Sequence, residues 1–133
     1  MSGAEILREH LAELSAATAV AGEVVEQGMQ LYVVLHELAL PENTFAVPQS
    51  DVLLIGDQQY PLSAMDMFWT EVEVVLADGS IPQNATEIEH HLGRDWRRFS
   101  WHRNEAWNPE GNPLLDHFVF VEARLALERQ EAA

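Results

Sequence analysis

The chain has 133 residues, of which 47% are hydrophobic, so it suits one folded domain and is too short for two ordinary ones. It carries 22 acidic side chains against seven arginines, with no lysine, for a net charge of -15. Such a surface repels phosphate backbones and anionic lipids, so no nucleic-acid or membrane partner is expected. The absence of cysteine excludes disulfides, thiolate metal sites and a cysteine nucleophile.

The first predicted element is an amphipathic helix over residues 3–17. Ser2, with Glu5 three positions on, has the pattern of a capping box, and leucine then recurs at helical spacing. An alanine-rich connector follows. The acidic start lacks the positive flank and the long apolar run of a signal peptide, so we expect a cytoplasmic protein.

Strand patterns follow the connector. Residues 31–40 are rich in Leu, Val and Tyr, 51–55 form a short apolar run, and 71–76 alternate Val or Leu with Glu, as half-buried antiparallel strands do. A stretch without a regular pattern covers residues 80–113, and apolar spacing predicts a last helix over 114–130. The order predicts an α+β domain in which an N-terminal and a C-terminal helix pack on one antiparallel sheet of about four strands.

The irregular stretch concentrates charge and aromatic side chains. Six of the seven arginines follow residue 93, and four of them lie within ten residues: Arg94, Arg97, Arg98 and Arg103. They either neutralise an acidic fold locally or form, with Trp101, a positive surface that receives a carboxylate or an acidic partner. We prefer the partner surface, because long loops in small domains are often functional.

Five segments, in this order, resemble the ubiquitin-conjugating enzyme (UBC) superfamily, and most closely its bacterial branch, prokaryotic family E. They are LPENTF at 40–45, DVLLI at 51–55, YPLSAMDMFW at 60–69, WRRFSWH at 96–102 and WNPEGNPLLDH at 107–117. The resemblance implies a single UBC-like domain over residues 1–133. Residues 1–27 form its N-terminal helix and connector, and residues 28–128 form the family-like core.

The resemblance also locates a candidate catalytic site. Relatives that work by transthiolation carry a cysteine several residues before a Trp-x-Pro element, and here Ser100 lies seven positions before Trp107. If residues 99–102 are extended, Ser100 and His102 share a side, and His102 is the candidate base for a hydroxyl nucleophile. Arg98 and Arg103 would hold the donor's carboxy terminus or the developing oxyanion.

The chain departs from the family pattern in two respects. The cysteine is missing, and so is the His-Pro-Asn triplet that precedes it, which leaves the oxyanion-stabilising residue unidentified. A serine in place of the cysteine predicts an oxyester where the family forms a thioester. A replacement of a native cysteine by serine would give the same pattern.

Two functions remain open. The first is a conjugating enzyme that accepts an activated ubiquitin-like protein from an adenylating, activating enzyme and passes it to a target, in a bacterial pathway of the antiviral-defence type. The second is a catalytically inactive adaptor that binds the ubiquitin-like protein or the activating enzyme. We prefer the enzyme. No cofactor is expected, and no metal, because no His pair has helical spacing with a carboxylate.

Overall fold

The computed structural model describes residues 1–132, with side chains described up to residue 129. In chain order the elements are α1 (Gly3–Thr18), β1 (Gly22–Gln27), β2 (Gln30–Ala39), β3 (Gln49–Asp57), β4 (Phe68–Thr70), β5 (Ile88–His91), β6 (Arg94–Phe99) and α2 (Pro113–Ala132). Within these residues the strands form one antiparallel sheet in the order β1-β2-β3-β4-β6-β5. The predicted α+β class is confirmed, with six strands in place of about four. Neither helix of the described chain has the length and apolar character needed to cross a bilayer.

The main core lies between the two helices and the inner face of the sheet. α1 begins as the capping box predicts, with the Glu5 backbone N–H donating to Ser2 Oγ at 3.1 Å. Alternate residues of the strands point into this core, because side chains along a strand alternate between faces. Its fully buried members include Leu7, Leu14, Leu31, Val33, Leu35, Leu54, Phe68, Phe99, Leu114 and Val121.

A second, smaller cluster covers the outer face of the sheet, and its buried residues are Tyr32, Val34, Leu53, Trp69 and Trp96. The rings of Tyr32 in β2 and His91 in β5 lie 5.8 Å apart, although β3, β4 and β6 separate their strands. Neighbouring strands lie about 4.8 Å apart, so a flat sheet would separate these two by roughly 19 Å. The sheet is therefore strongly curved, and the β5–β6 hairpin folds over the outer face of the sheet.

That hairpin lies inside residues 80–113, so the prediction of a wholly irregular stretch is wrong. Leu92 and Gly93 make its two-residue turn, both at positive φ (54° and 77°), as a type I′ turn requires. The usual signal for this turn is Asn-Gly or Asp-Gly. A leucine at the first turn position, where positive φ is uncommon for a bulky residue, conceals the turn in the sequence.

The predicted strand over residues 71–76 is also wrong, since residues 72–73 form a turn and within the segment Leu76 alone makes a β-bridge, to Phe45. The backbone N–H of Val74 donates to the Glu71 carbonyl at 3.1 Å. The Val72 carbonyl accepts Nε–H and Nη2–H from Arg97, at 3.1 and 3.0 Å. An arginine side chain thus supplies the donors that a neighbouring strand would supply.

The predicted connector contains a strand as well. Gly22–Gln27 pairs with β2 as β1, at the edge of the sheet. Gly22 permits the pairing at its start, because a Cβ there would lie 2.8 Å from the Val34 carbonyl oxygen. Its neighbours Glu23 and Val24 alternate between exposed and partly buried positions over too few residues to give a clear strand pattern.

Candidate functional site

The candidate site lies in the loop over residues 100–107, between the end of β6 and α2; we call it the site loop. Its two tryptophans form hydrogen bonds to other segments of the chain. Trp107 donates Nε1–H to the Pro61 carbonyl at 2.7 Å, and Trp101 donates Nε1–H to the Gln83 carbonyl at 3.1 Å. The loop therefore has a defined position without regular secondary structure.

Ser100 opens the site loop, and its hydroxyl is half-buried. Its Oγ accepts Nε–H from Arg98 at 2.8 Å. The Trp101 backbone N–H donates to the Phe99 carbonyl at 2.9 Å, which closes a three-residue turn centred on Ser100. Residues 99–102 are therefore not uniformly extended, and the strand alternation from which Ser100 and His102 were expected to share a side does not apply to them.

His102 pairs with a carboxylate that the sequence reasoning missed. Its Nδ1 lies 2.6 Å from Asp66 Oδ2, and both side chains are largely exposed. Asp66 accepts the Nδ1–H, so in the neutral imidazole Nε2 carries the lone pair, as in the His–carboxylate pairs of general bases. The hydrogen bonds among the described residues do not join Ser100 to His102. Asp66 is 36 positions away from His102, and its only sequence signal was its place in the YPLSAMDMFW segment.

The four clustered arginines do not form one surface, because β6 alternates its side chains between the two faces of the sheet. Arg97 points inward, is only 6% exposed, and donates Nη1–H to the Ala85 carbonyl at 2.7 Å. Arg97 is therefore a structural residue, and we remove it from the predicted partner surface. Arg94 and Arg98 point outward, and Arg103 lies beyond the strand in the site loop.

Arg94 belongs to an ion pair on the outer face of the sheet. Its Nη1 lies 3.0 Å from Asp51 Oδ2, and its guanidinium carbon lies 4.3 Å from the centroid of the Trp96 ring. Burial raises the pKa of Asp51, but the Glu37 backbone N–H and Arg94 outweigh it and hold that pKa below its usual range. The charge of Arg94 is thus largely matched within the fold.

Arg98 connects Ser100 to a hydrogen-bond network around Glu89. The Glu89 carboxylate accepts Arg98 Nη1–H at 2.7 Å, Trp69 Nε1–H at 2.9 Å and a bond from His91 Nε2 at 2.9 Å. Burial raises the pKa of Glu89, but the His91 and Trp69 hydrogen bonds and the Arg98 charge outweigh it, and the pKa is lowered. Glu89 is therefore ionised, and it orients the cation that binds Ser100.

A groove of about 390 Å³ opens between the site loop and α2; we call it the loop groove. Its walls are Trp101, His102, Arg103, Asn104, Glu105, Asp116, Val119, Phe120, Ala123, Arg124 and Leu127. The Arg124 guanidinium lies 3.7 Å above the Trp101 ring centroid and is paired with Glu128 at 2.8 Å. The Arg103 guanidinium carbon lies 5.5 Å from the Trp107 centroid, and Nη1 is buried without a hydrogen-bond partner among the described residues. The groove thus combines apolar side chains with two arginines, Arg103 and Arg124, and two carboxylates, Glu105 and Asp116.

His117 on α2 supports the segment that carries Asp66. It is fully buried, and its Nε2–H donates to the Met67 carbonyl at 2.8 Å. Burial lowers the pKa of His117 to about 4, and nearby Arg103 adds to that effect. A neutral His117 therefore holds residue 67, and with it the neighbouring Asp66, in place.

Metal binding has no structural support in the part of the chain that the structure describes. No group of three His, Asp or Glu side chains there is arranged to hold a metal ion. His90 illustrates the arrangement seen instead, an exposed pair with Asp95 at 2.9 Å.

Comparison with known proteins identifies the family. The family model of prokaryotic E2 family E matches residues 8–128, which includes most of α1, the whole sheet, the site loop and most of α2. No curated protein and no solved structure matches the chain. The family model covers most of the sequence, and the observed α+β arrangement agrees with a UBC-like fold. The chain therefore belongs to prokaryotic E2 family E, a UBC-like family of ubiquitin-type conjugation.

Proposed function

We propose that this protein accepts an activated ubiquitin-like protein from an activating enzyme and transfers it to a target, in a bacterial pathway of the antiviral-defence type. The observation that carries the proposal is the loop groove beside the His102–Asp66 pair. An extended carboxy-terminal tail needs an apolar channel, cations for its carboxyl group and a base at the point of reaction. The groove combines these three features in one place.

Arg103 is the residue that we assign to the donor's carboxyl end. The rest of the chain is strongly acidic, and the described ion pairs match Arg94, Arg98 and Arg124 with carboxylates. Arg103 has no carboxylate within ion-pair distance among the described residues, and it lies on the groove wall. A buried donor without an acceptor costs free energy, which a bound carboxylate or carbonyl would offset.

Ser100 is the proposed carrier of the donor. Its Oγ would attack the activated carboxyl carbon, form an ester and expel the thiol of the activating enzyme, which takes up the proton. Arg98 supplies a fixed charge beside Oγ that stabilises the alkoxide character of the attacking oxygen. His102, oriented by Asp66, is the proposed base for the attacking group, and it would act on Ser100 through water or after a movement of the site loop.

The adaptor remains the second candidate, and one observation favours it. Ser100 Oγ is bound to Arg98 and His102 Nδ1 is bound to Asp66, so nucleophile and base are not hydrogen-bonded to each other. An adaptor would use the loop groove to bind the donor tail without forming a bond to it.

Reconstitution with donor, activating enzyme and ATP tests the proposal. We expect an adduct that survives thiol reductants. Ala123→Gln, which would fill the loop groove, should slow the formation of this adduct. The matched control is Ala12→Gln on the exposed side of α1, which should leave adduct formation unchanged. Donor binding without any adduct would favour the adaptor, and an Ala123→Gln protein as active as the control would remove the groove from the proposal.

A further inference from the structure

A second groove lies along α2, next to the loop groove. It has a volume of about 580 Å³. One wall is the end of β2 and the residues that follow it, and the other wall is α2; we call it the β2–α2 groove. Its walls are Leu38, Ala39, Leu40, Pro41, Val119, Glu122, Ala123, Leu125 and Ala126. Eight of these nine residues are apolar, and Glu122 alone is ionisable.

The exposed side of α2 is unusually apolar next to this groove. Val119 is 58% exposed and Leu127 is 43% exposed, and Ala123 and Ala126 are exposed as well. A surface helix normally presents polar side chains to solvent and keeps its apolar residues on the buried face. Exposed apolar residues beside an apolar groove mark a contact surface.

Glu122 gives the groove a chemical preference. Among the described residues its carboxylate has no hydrogen bond and no ion pair, and the groove walls raise the pKa of that carboxyl by desolvation. The neighbouring exposed acids are Glu37 and Glu42, which flank the Leu38–Pro41 wall in the sequence, and no arginine lines the groove. A cation from a partner would offset the desolvation of Glu122 and the local negative charge.

We propose that the β2–α2 groove binds a basic, apolar segment of the protein to which the donor is transferred: two or three apolar side chains flanked by lysine or arginine. The proposal rests on the proposed function for its choice of partner. Val119 and Ala123 line this groove as well as the loop groove, so the two grooves are adjacent and share a stripe of α2. A target held in one groove therefore lies close to a donor tail held in the other.

The test uses a synthetic probe, because it needs neither donor nor activating enzyme. A twelve-residue peptide with three leucines at helical spacing and two lysines is titrated into the isotope-labelled protein. Binding is monitored by the NMR chemical shifts of the backbone amides. We expect shifts concentrated at residues 38–41 and 119–126. The same peptide with glutamates in place of the lysines should not bind. Shifts spread over the acidic surface, or confined to the outer face of the sheet, would overturn the proposal.

Two variants sharpen the result. Glu122→Gln should weaken the lysine peptide about two- to fivefold, the range of one partly exposed ion pair. Ala126→Gln, which fills this groove without touching the loop groove, should abolish the shifts. Glu9→Gln on α1 removes the same charge at an exposed site and should change nothing. Equal weakening by Glu9→Gln and Glu122→Gln would reduce the effect to net charge and reject the groove.

Reconstitution separates this inference from the proposed function. The Ala126→Gln protein should still form the reductant-resistant adduct but transfer the donor to targets more slowly. If neither the wild type nor Ala126→Gln forms the adduct, the proposed function is rejected. Peptide-induced shifts at the β2–α2 groove would still establish the binding site in that case. Normal transfer by Ala126→Gln would reject the groove as the target site.

Discussion

Arg98 holds Ser100 and Glu89 at the same time, donating Nε–H to Ser100 Oγ at 2.8 Å and Nη1–H to Glu89 Oε2 at 2.7 Å. Since Oγ accepts this bond, its own hydrogen must point away from Arg98. The cation beside Oγ favours the anionic form of Ser100 that a base would generate before attack. In the proposed function, this contact would prepare Ser100 for nucleophilic attack and would fix the direction from which a base must approach.

Arg98→Lys is expected to weaken this arrangement. A lysine offers one compact ammonium and cannot present two fixed donors to separate acceptors as a guanidinium does. Adduct formation should slow by roughly tenfold to a hundredfold, at or below the usual effect of a lost oxyanion donor. Arg8→Lys, in the exposed pair with Glu26, is the control and should leave the rate unchanged. Equal rates for the two variants would exclude a special role for Arg98.

His102→Ala is expected to slow donor transfer by about 10²–10⁴-fold, as the loss of a general base does. Asp66→Asn should also slow transfer, because an amide does not hold the imidazole in the tautomer that leaves Nε2 free. His90→Ala is a matched control, since His90 forms a similarly exposed pair with Asp95. Single-turnover rates measure the effect, and equal rates for His102→Ala and His90→Ala would contradict the assignment.

Arg97→Gln is expected to destabilise the fold without acting on a partner. The change leaves the carbonyls of Val72 and Ala85 without their charged donors, at about 1–3 kcal/mol for each carbonyl and about 2–6 kcal/mol in total. Arg94→Gln removes a half-exposed ion pair and should cost less than about 1 kcal/mol. Urea unfolding gives both values. A smaller loss for Arg97→Gln than for Arg94→Gln would show that the interior role is wrong.

The free energy of unfolding should decrease as the pH is lowered, because His117 is buried in its neutral form. Burial lowers its folded pKa to about 4, below the ordinary 6.5, so the unfolded chain binds a proton more readily. The His117 contribution is complete above pH 6.5, is lost as the pH falls towards 4, and amounts to about 3 kcal/mol.

A comparison with His117→Gln isolates this contribution, because Gln can still donate to the Met67 carbonyl but does not titrate. The difference in free energy of unfolding between wild type and variant, measured from pH 7 to pH 4.5, should shift in favour of the variant as the pH falls. A constant difference, or an NMR titration midpoint of His117 near 6.5, would contradict the buried neutral state.

The elements that depend on local signals were predictable from the sequence. The Ser2–Glu5 cap and the leucine spacing located α1, and the continuous apolar run located β2, each to within one or two residues. These signals act over a few positions, so one sequence is enough to interpret them. The family segments extended the prediction to the place of the site loop.

The sequence predictions were wrong where the backbone conformation depends on a contact with a residue far away in the sequence. Val72 looked like a strand residue, but Arg97 takes up its carbonyl, and no local pattern reveals a hydrogen bond across 25 positions. Leu92 sits in a turn that normally uses Asn or Asp. Asp66 reaches His102 only because the sheet and α2 bring two loops together, so the candidate base pair was visible only in three dimensions.

The central claim is that Ser100 carries the donor as an ester, and the chemistry of the adduct tests it most directly. After reaction with ATP, activating enzyme and ubiquitin-like protein, the adduct is treated with a thiol reductant and, separately, with hydroxylamine. We predict survival in reductant, loss in hydroxylamine, absence in Ser100→Ala, and a reductant-sensitive adduct in Ser100→Cys. The chain has no lysine, so an isopeptide on its own side chains cannot mimic the result. An adduct that persists in Ser100→Ala, or a donor that binds without any adduct, would contradict the account.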